Sequence, residues 1–202
     1  MTSRRTGYGI FFALLLFNIA GSSAAAPELS REEGDRLHRK MEEIAENSSK
    51  NPIKPKRTPV SETEVNSYLA YNAKDRIPAG LAHPQITILG DNRLSGRITV
   101  DIDEFKRHRG SQGFTDPFNY ISGKVPVTAR GLLRTQDGKG QLQLESAQIH
   151  GIPLPKRLLQ ELVTFFSRTP EHPAGFDIDA PFDLPAKIRE VTINRGQAVV
   201  VQ

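Results

Sequence analysis

There is no cysteine anywhere in the 202 residues, which excludes disulfides, thioether-linked haem and cysteine-held zinc. Long apolar runs are missing too. Ile10–Ala20 spans eleven residues with Asn18 among them, against the ~20 that a membrane-crossing helix needs. There is no H-E-x-x-H, no G-x-S-x-G, no P-loop and no dinucleotide fingerprint. His38, His83, His108, His150 and His172 lie apart, without metal-ligand spacing. An internal repeat and a low-complexity tract are also absent. The formal charge of +4 is small, and without Arg4 and Arg5 the balance becomes 25 basic against 23 acidic residues. That near-neutrality gives no electrostatic footprint for nucleic acid, which is not expected as a partner.

What is present begins with a targeting pattern. Arg4 and Arg5 form a positive n-region, Ile10–Ala20 a short apolar run, and Ser22–Ala26 a stretch of small residues suited to cleavage. Residues 1–26 therefore read as a signal peptide, with an uncleaved anchor as the alternative. Export to a periplasm or cell envelope follows, and the lack of cysteine fits a bacterial envelope protein better than a small secreted eukaryotic domain. The remaining ~175 residues are enough for one domain with a real core.

Residues 27–59 read as a charged helix and a tether. Ser30 with Glu33 has the capping-box pattern, and Leu37, Met41, Ile44 and Ala45 recur at helical spacing, giving an amphipathic helix with a narrow apolar stripe. Pro52, Pro55 and Pro59 exclude a helix from the next stretch, which Lys50, Lys54, Lys56 and Arg57 make basic.

Residues 60–202 read as an α+β domain. Ser61 and Glu64 form a second capping box, followed by a short helix that ends before Pro78 and Gly80. Strands are expected over 85–89 and 93–103, joined through Gly90-Asp91-Asn92, with Leu94, Ile98, Val100 and Ile102 on one face. Residues 124–134 and 141–149 give two more. In the second, parity switches between Leu144 and Ala147, the mark of a bulge. Pro155 opens a helix whose broad stripe includes Leu158, Leu159, Leu162, Val163, Phe165 and Phe166. Alternation over 176–184 predicts a further strand, and a hairpin turning at Asn194-Arg195-Gly196 closes the chain. The expected fold is a curved antiparallel sheet packed on an apolar helix, preceded by the amphipathic N-terminal helix.

Two stretches carry a family resemblance. Val60-Ser61-Glu62-Thr63-Glu64-Val65-Asn66-Ser67-Tyr68-Leu69 resembles the opening helix of the LmeA-like and YpmS-like envelope proteins. Asp183-Leu184-Pro185 with Ile188, Val191, Ile193, Gly196 and Val199 is similar to their terminal hairpin. The resemblance spans 60–202 in outline. It implies a tubular lipid-binding-like fold, export and phospholipid binding. The long N-terminal helix and the segment 104–123 depart from the family pattern.

With no catalytic motif, no catalytic residue and no cofactor are assigned. The expected partner is a phospholipid or other apolar ligand, held between sheet and helix by Ile98, Val100, Ile102, Leu158, Leu162, Phe165 and Phe166. The segment 104–123 mixes cations with aromatics, and two readings stand. Phe105, Lys106, Arg107, Arg109, Phe114 and Phe118 face a membrane surface, or the aromatics cap one end of the core. Asp101 with Asp103 and Asp177 with Asp179 place two carboxylates about 7 Å apart on a strand, a pair that could hold a cation but reads more simply as the wet side. A filled-core interaction module is the alternative function. A hydrolase with a non-local site, such as His150 with Glu145 or Asp177, is the third.

Overall fold

A computed structural model describes residues 28–52, 54–109, 117–170 and 172–202. The expected signal peptide lies outside them, as does Phe114. Among the described residues the chain is α+β, with four α-helices and two antiparallel sheets.

Helix α1 (Arg31–Ser48) starts at Ser30, whose Oγ accepts from the Glu33 N–H at 3.2 Å. Strand β1 (Arg57–Ser61) runs into helix α2 (Glu62–Tyr71). The Ser61/Glu64 capping box is complete in both directions, at 3.1 and 2.8 Å. Strands β2 (Leu81–Gly90) and β3 (Arg93–Asp101) form a hairpin through Asp91 and Asn92, both at positive φ. Helix α3 (Ile102–Arg109) follows directly, then a 3₁₀ turn at Pro117–Tyr120. The long hairpin β4 (Lys124–Gln136) and β5 (Lys139–Ile149) turns at Asp137-Gly138. Next come β6 (Ile152–Pro153), helix α4 (Lys156–Ser167), β7 (Phe182–Asp183) and the closing hairpin β8 (Glu190–Asn194) and β9 (Gln197–Val201).

The larger sheet runs β2-β3-β4-β5-β6, with β7 also paired to β5; the smaller runs β1-β9-β8. The parity switch in β5 is a bulge: Arg130 pairs Ser146 while Gly131 pairs Leu144, leaving Glu145 as the extra residue. One face of the larger sheet is apolar along its whole length, through Ile86, Ile88, Ile98, Val100, Val127, Ala129, Leu133 and Leu142. Two different covers bury it. Helix α4, α3 and the 3₁₀ turn cover one end. Helices α1 and α2 with the smaller sheet cover the other.

Four expectations need correction. The strand predicted over 93–103 stops at Asp101, because Ile102 begins a helix for which the Asp101 carboxylate accepts the Glu104 N–H at 3.0 Å. The expected strand over 176–184 is mostly irregular, reduced to Phe182–Asp183. Its backbone instead bonds α4 side chains: Ile178 N–H donates to Gln160 Oε1 at 2.9 Å, and Phe176 N–H donates to Ser167 Oγ at 2.6 Å. The tether is shorter than expected, since Arg57, Thr58 and Pro59 pair with β9. Helix α1 is no separate body either. Leu37 and Ile44 are buried with Val60, Leu69 and Ile86, so the boundary expected at 59/60 cuts through a strand. Gly34 allows the close helix crossing, because a Cβ there would sit 3.0 Å from the Ser67 carbonyl oxygen and collide with the Asn72 amide.

Candidate functional site

An apolar cleft lies between α4 and the larger sheet, and its floor follows from the strand period. On the buried face, Gly96 pairs Ala129 and Ile98 pairs Val127, so small residues sit beside large ones in the middle of the sheet. Val100 continues the floor, while Leu159, Leu162, Val163 and Phe166 on α4 form the roof. Leu81 on the β2 edge strand completes the lining. Leu81 and Val163 are the half-buried members, so solvent reaches the cleft between the β2 edge and the helix. The space amounts to ≈ 30 Å³. A water needs roughly 10–15 Å³ of such volume, and a drug-sized ligand site occupies about 300–1,000 Å³. The cleft is therefore a notch beneath the helix. An acyl chain can occupy it only if α4 shifts off the sheet.

Of the residues expected to hold an apolar ligand, Ile98, Val100, Leu162 and Phe166 line this cleft. Ile102, Leu158 and Phe165 do not. Ile102 is fully buried at the start of α3, and Leu158 lies in the core nearer the N-terminus of α4. Phe165 turns toward Phe105, with ring centroids 5.3 Å apart and nearly perpendicular. Sequence reading placed Val127, Ala129, Leu159 and Val163 on apolar faces but not in the ligand site, and it missed Leu81 and Gly96 altogether. Gly96 has the same strand parity as Leu94 and Ile98, but a residue without a side chain gives no hydropathy signal.

The aromatic segment takes the second of its two readings. Phe105 and Phe118 are 1% and 0% exposed, with centroids 5.0 Å apart, so they cap the core and cannot face a membrane. Arg109 is drawn in with them. Its guanidinium lies 5.5 Å from the Phe105 ring centroid and 5.1 Å from that of Phe118, and it pairs with Glu161 of α4. Lys106 donates to the Ile121 carbonyl at 2.8 Å, and Arg107 pairs with Glu104. Lys106 and Arg109 stitch α3 to its surroundings, while the Arg107–Glu104 pair lies within the helix.

The carboxylate pairs are likewise engaged locally. Asp103 accepts the Gly123 N–H at 2.8 Å, Asp177 accepts that of Asp179 at 2.9 Å, and Asp179 pairs with Lys156. Among the described residues no group of three or more His, Asp and Glu is arranged to hold a metal ion. His150 sits exposed on the β5–β6 turn at φ 51°, while Glu145 is paired with Arg93 at 2.8 Å. That ion pair also raises the Arg93 pKa. Among the described residues no helix is long and apolar enough to cross a membrane. Comparison with known proteins finds no matching family model, no similar curated protein and no similar solved structure.

Proposed function

We propose that the protein is an exported, non-catalytic acyl-chain binder of the cell envelope, taking the apolar tail of a lipid between α4 and the larger sheet. The observation that carries this reading is the cleft, with its apolar lining and its opening at Leu81 and Val163. Transfer of a chain from water into such a site supplies ~0.8 kcal/mol per methylene, so no chemistry is needed to drive binding. The resemblance to LmeA-like and YpmS-like envelope proteins points the same way. The helix that must move is held by the irregular strap 172–181, whose Phe176 and Ile178 N–H groups donate to the half-buried Ser167 and Gln160 side chains.

A second reading has its own support. A space of ≈ 30 Å³ is what a nearly filled core leaves, as in an interaction module that binds through its surface. One experiment separates the two. Solvent extracts of the purified protein are analysed by mass spectrometry, and a fluorescent eighteen-carbon fatty acid is titrated into wild type and Val163→Trp. The acyl-chain reading expects co-purified lipid and saturable probe binding that the tryptophan at the cleft mouth abolishes. Folded wild type that yields no lipid and leaves the probe unbound would establish the filled-core module.

A further inference from the structure

The opposite face of the larger sheet, where Ser95 is buried but Arg97, Arg130 and Arg134 are exposed, has a charge pattern unrelated to the cleft. Arg97 lies on β3, opposite Thr128 of β4; Ser95, two residues back along β3, lies opposite Arg130; and Arg93 lies opposite Leu132. Two residues further along β4 comes Arg134. The arginines 97, 130, 93 and 134 thus alternate between the two central strands. Each is the diagonal neighbour of the next, which spaces them about 7–8 Å apart. Six residues of strand separate the first row from the last, so the file is about 20 Å long.

Arg97, Arg130 and Arg134 are exposed, and among the described residues none of the three is in an ion pair, while Glu145 pairs with Arg93. Thr128, Ser146, Gln143 and Gln148 flank the file with hydroxyls and amides. In this file the Glu145-paired Arg93 lies between Arg130 and Arg134, and a counter-charge laid along the strands gives the other three guanidiniums their partners.

We propose that this face binds a linear acidic polysaccharide, its carboxylates on the arginines and its hydroxyls on the flanking side chains. Single-file cations match a chain better than a bilayer, which presents charge in two dimensions. Strands β3, β4 and β5 contain no aromatic residue. Single-stranded nucleic acid, which is gripped by stacking its bases on aromatic rings, is therefore a poorer fit.

The test uses the purified protein and fluorescein-labelled alginate, a polyuronate, followed by anisotropy at rising sodium chloride. Binding is expected to weaken steeply with salt, as counterion release requires. The variant R97Q/R130Q/R134Q is expected to bind about tenfold more weakly, with unchanged circular dichroism and melting temperature. Lys50→Gln, away from the file, is expected to leave binding unchanged. Should the triple variant not fold, Arg130→Gln alone is expected to weaken binding about two- to threefold. Equal binding of neutral dextran, an unaffected arginine variant, or tighter binding of an oligo-dT strand or of phosphatidylglycerol vesicles would overturn the proposal.

Discussion

Asn66 and Gln160 use the same device at opposite ends of one sheet face, yet their surroundings give it different weight. The Asn66 amide donates to the Ile86 carbonyl and accepts the Ile86 N–H, each at 2.7 Å, standing in for a neighbouring strand at the outer edge of β2. Gln160 does the same for the strap, donating to the Phe176 carbonyl and accepting the Ile178 N–H, each at 2.9 Å. Asn66 is 5% exposed and its partner Ile86 is buried with it, whereas Gln160 and Phe176 are half-buried, so solvent borders that amide even though its other partner, Ile178, is buried. The end under α1 and α2 has further locks. Glu62 accepts the Ile88 N–H at 2.7 Å, and Asn92 accepts the Ile193 N–H at 2.9 Å. Polar groups satisfied only inside the fold make that core all-or-none. The end under α4 rests more on packing and on replaceable bonds, which is where a helix can lift.

Asn66→Leu tests the locked end most severely. It leaves a buried N–H and a buried carbonyl without partners, and urea unfolding is expected to show a loss of about 4 kcal/mol. Leu162→Ala, in the cleft roof, is expected to cost about 3 kcal/mol by the same measurement. It also widens the cleft, so affinity for the fatty-acid probe is expected to rise; a fall in affinity would break the link between the cleft and the ligand. Gln160→Leu is expected to cost only about 1–2 kcal/mol, because water takes over part of its bonding. Its diagnostic effect is faster amide exchange at Ile178 without faster exchange at Ile86. Ser61→Ala removes half of the capping box and is expected to cost about 1 kcal/mol.

The smallest effect concerns pH. Lys56 hydrogen-bonds and attracts the Glu43 carboxylate, holding its pKa below the usual value. Because the folded value is the lower one, the stabilisation is present above the unfolded pKa and disappears as pH falls through the folded one. The pair is exposed and screened, so a few tenths of a kcal/mol is expected. Lys56→Met should raise the Glu43 pKa in an NMR titration while leaving neutral-pH stability nearly unchanged.

Much of the fold is legible in the chain. The hairpin turns, both serine caps, Pro155 at the start of α4 and the bulge in β5 follow from local rules of backbone geometry and period. The strap is legible only in hindsight. Phe176, Ile178, Ala180, Phe182 and Leu184 alternate like a strand, but side chains of α4 take the backbone bonds that a neighbouring strand would have made. Strand β1 was hidden by Pro59, which fits because the strand lies at the edge of its sheet.

By itself the sequence determined which face of each strand and helix is apolar, since side-chain direction is set by the residue's own position along the chain. Only the tertiary structure decided how full the space between those faces is. It also decided which polar groups close the sheet edges and that arginines from two strands fall into one file. Register and helix height are properties of pairs of elements, and no single stretch of residues encodes them.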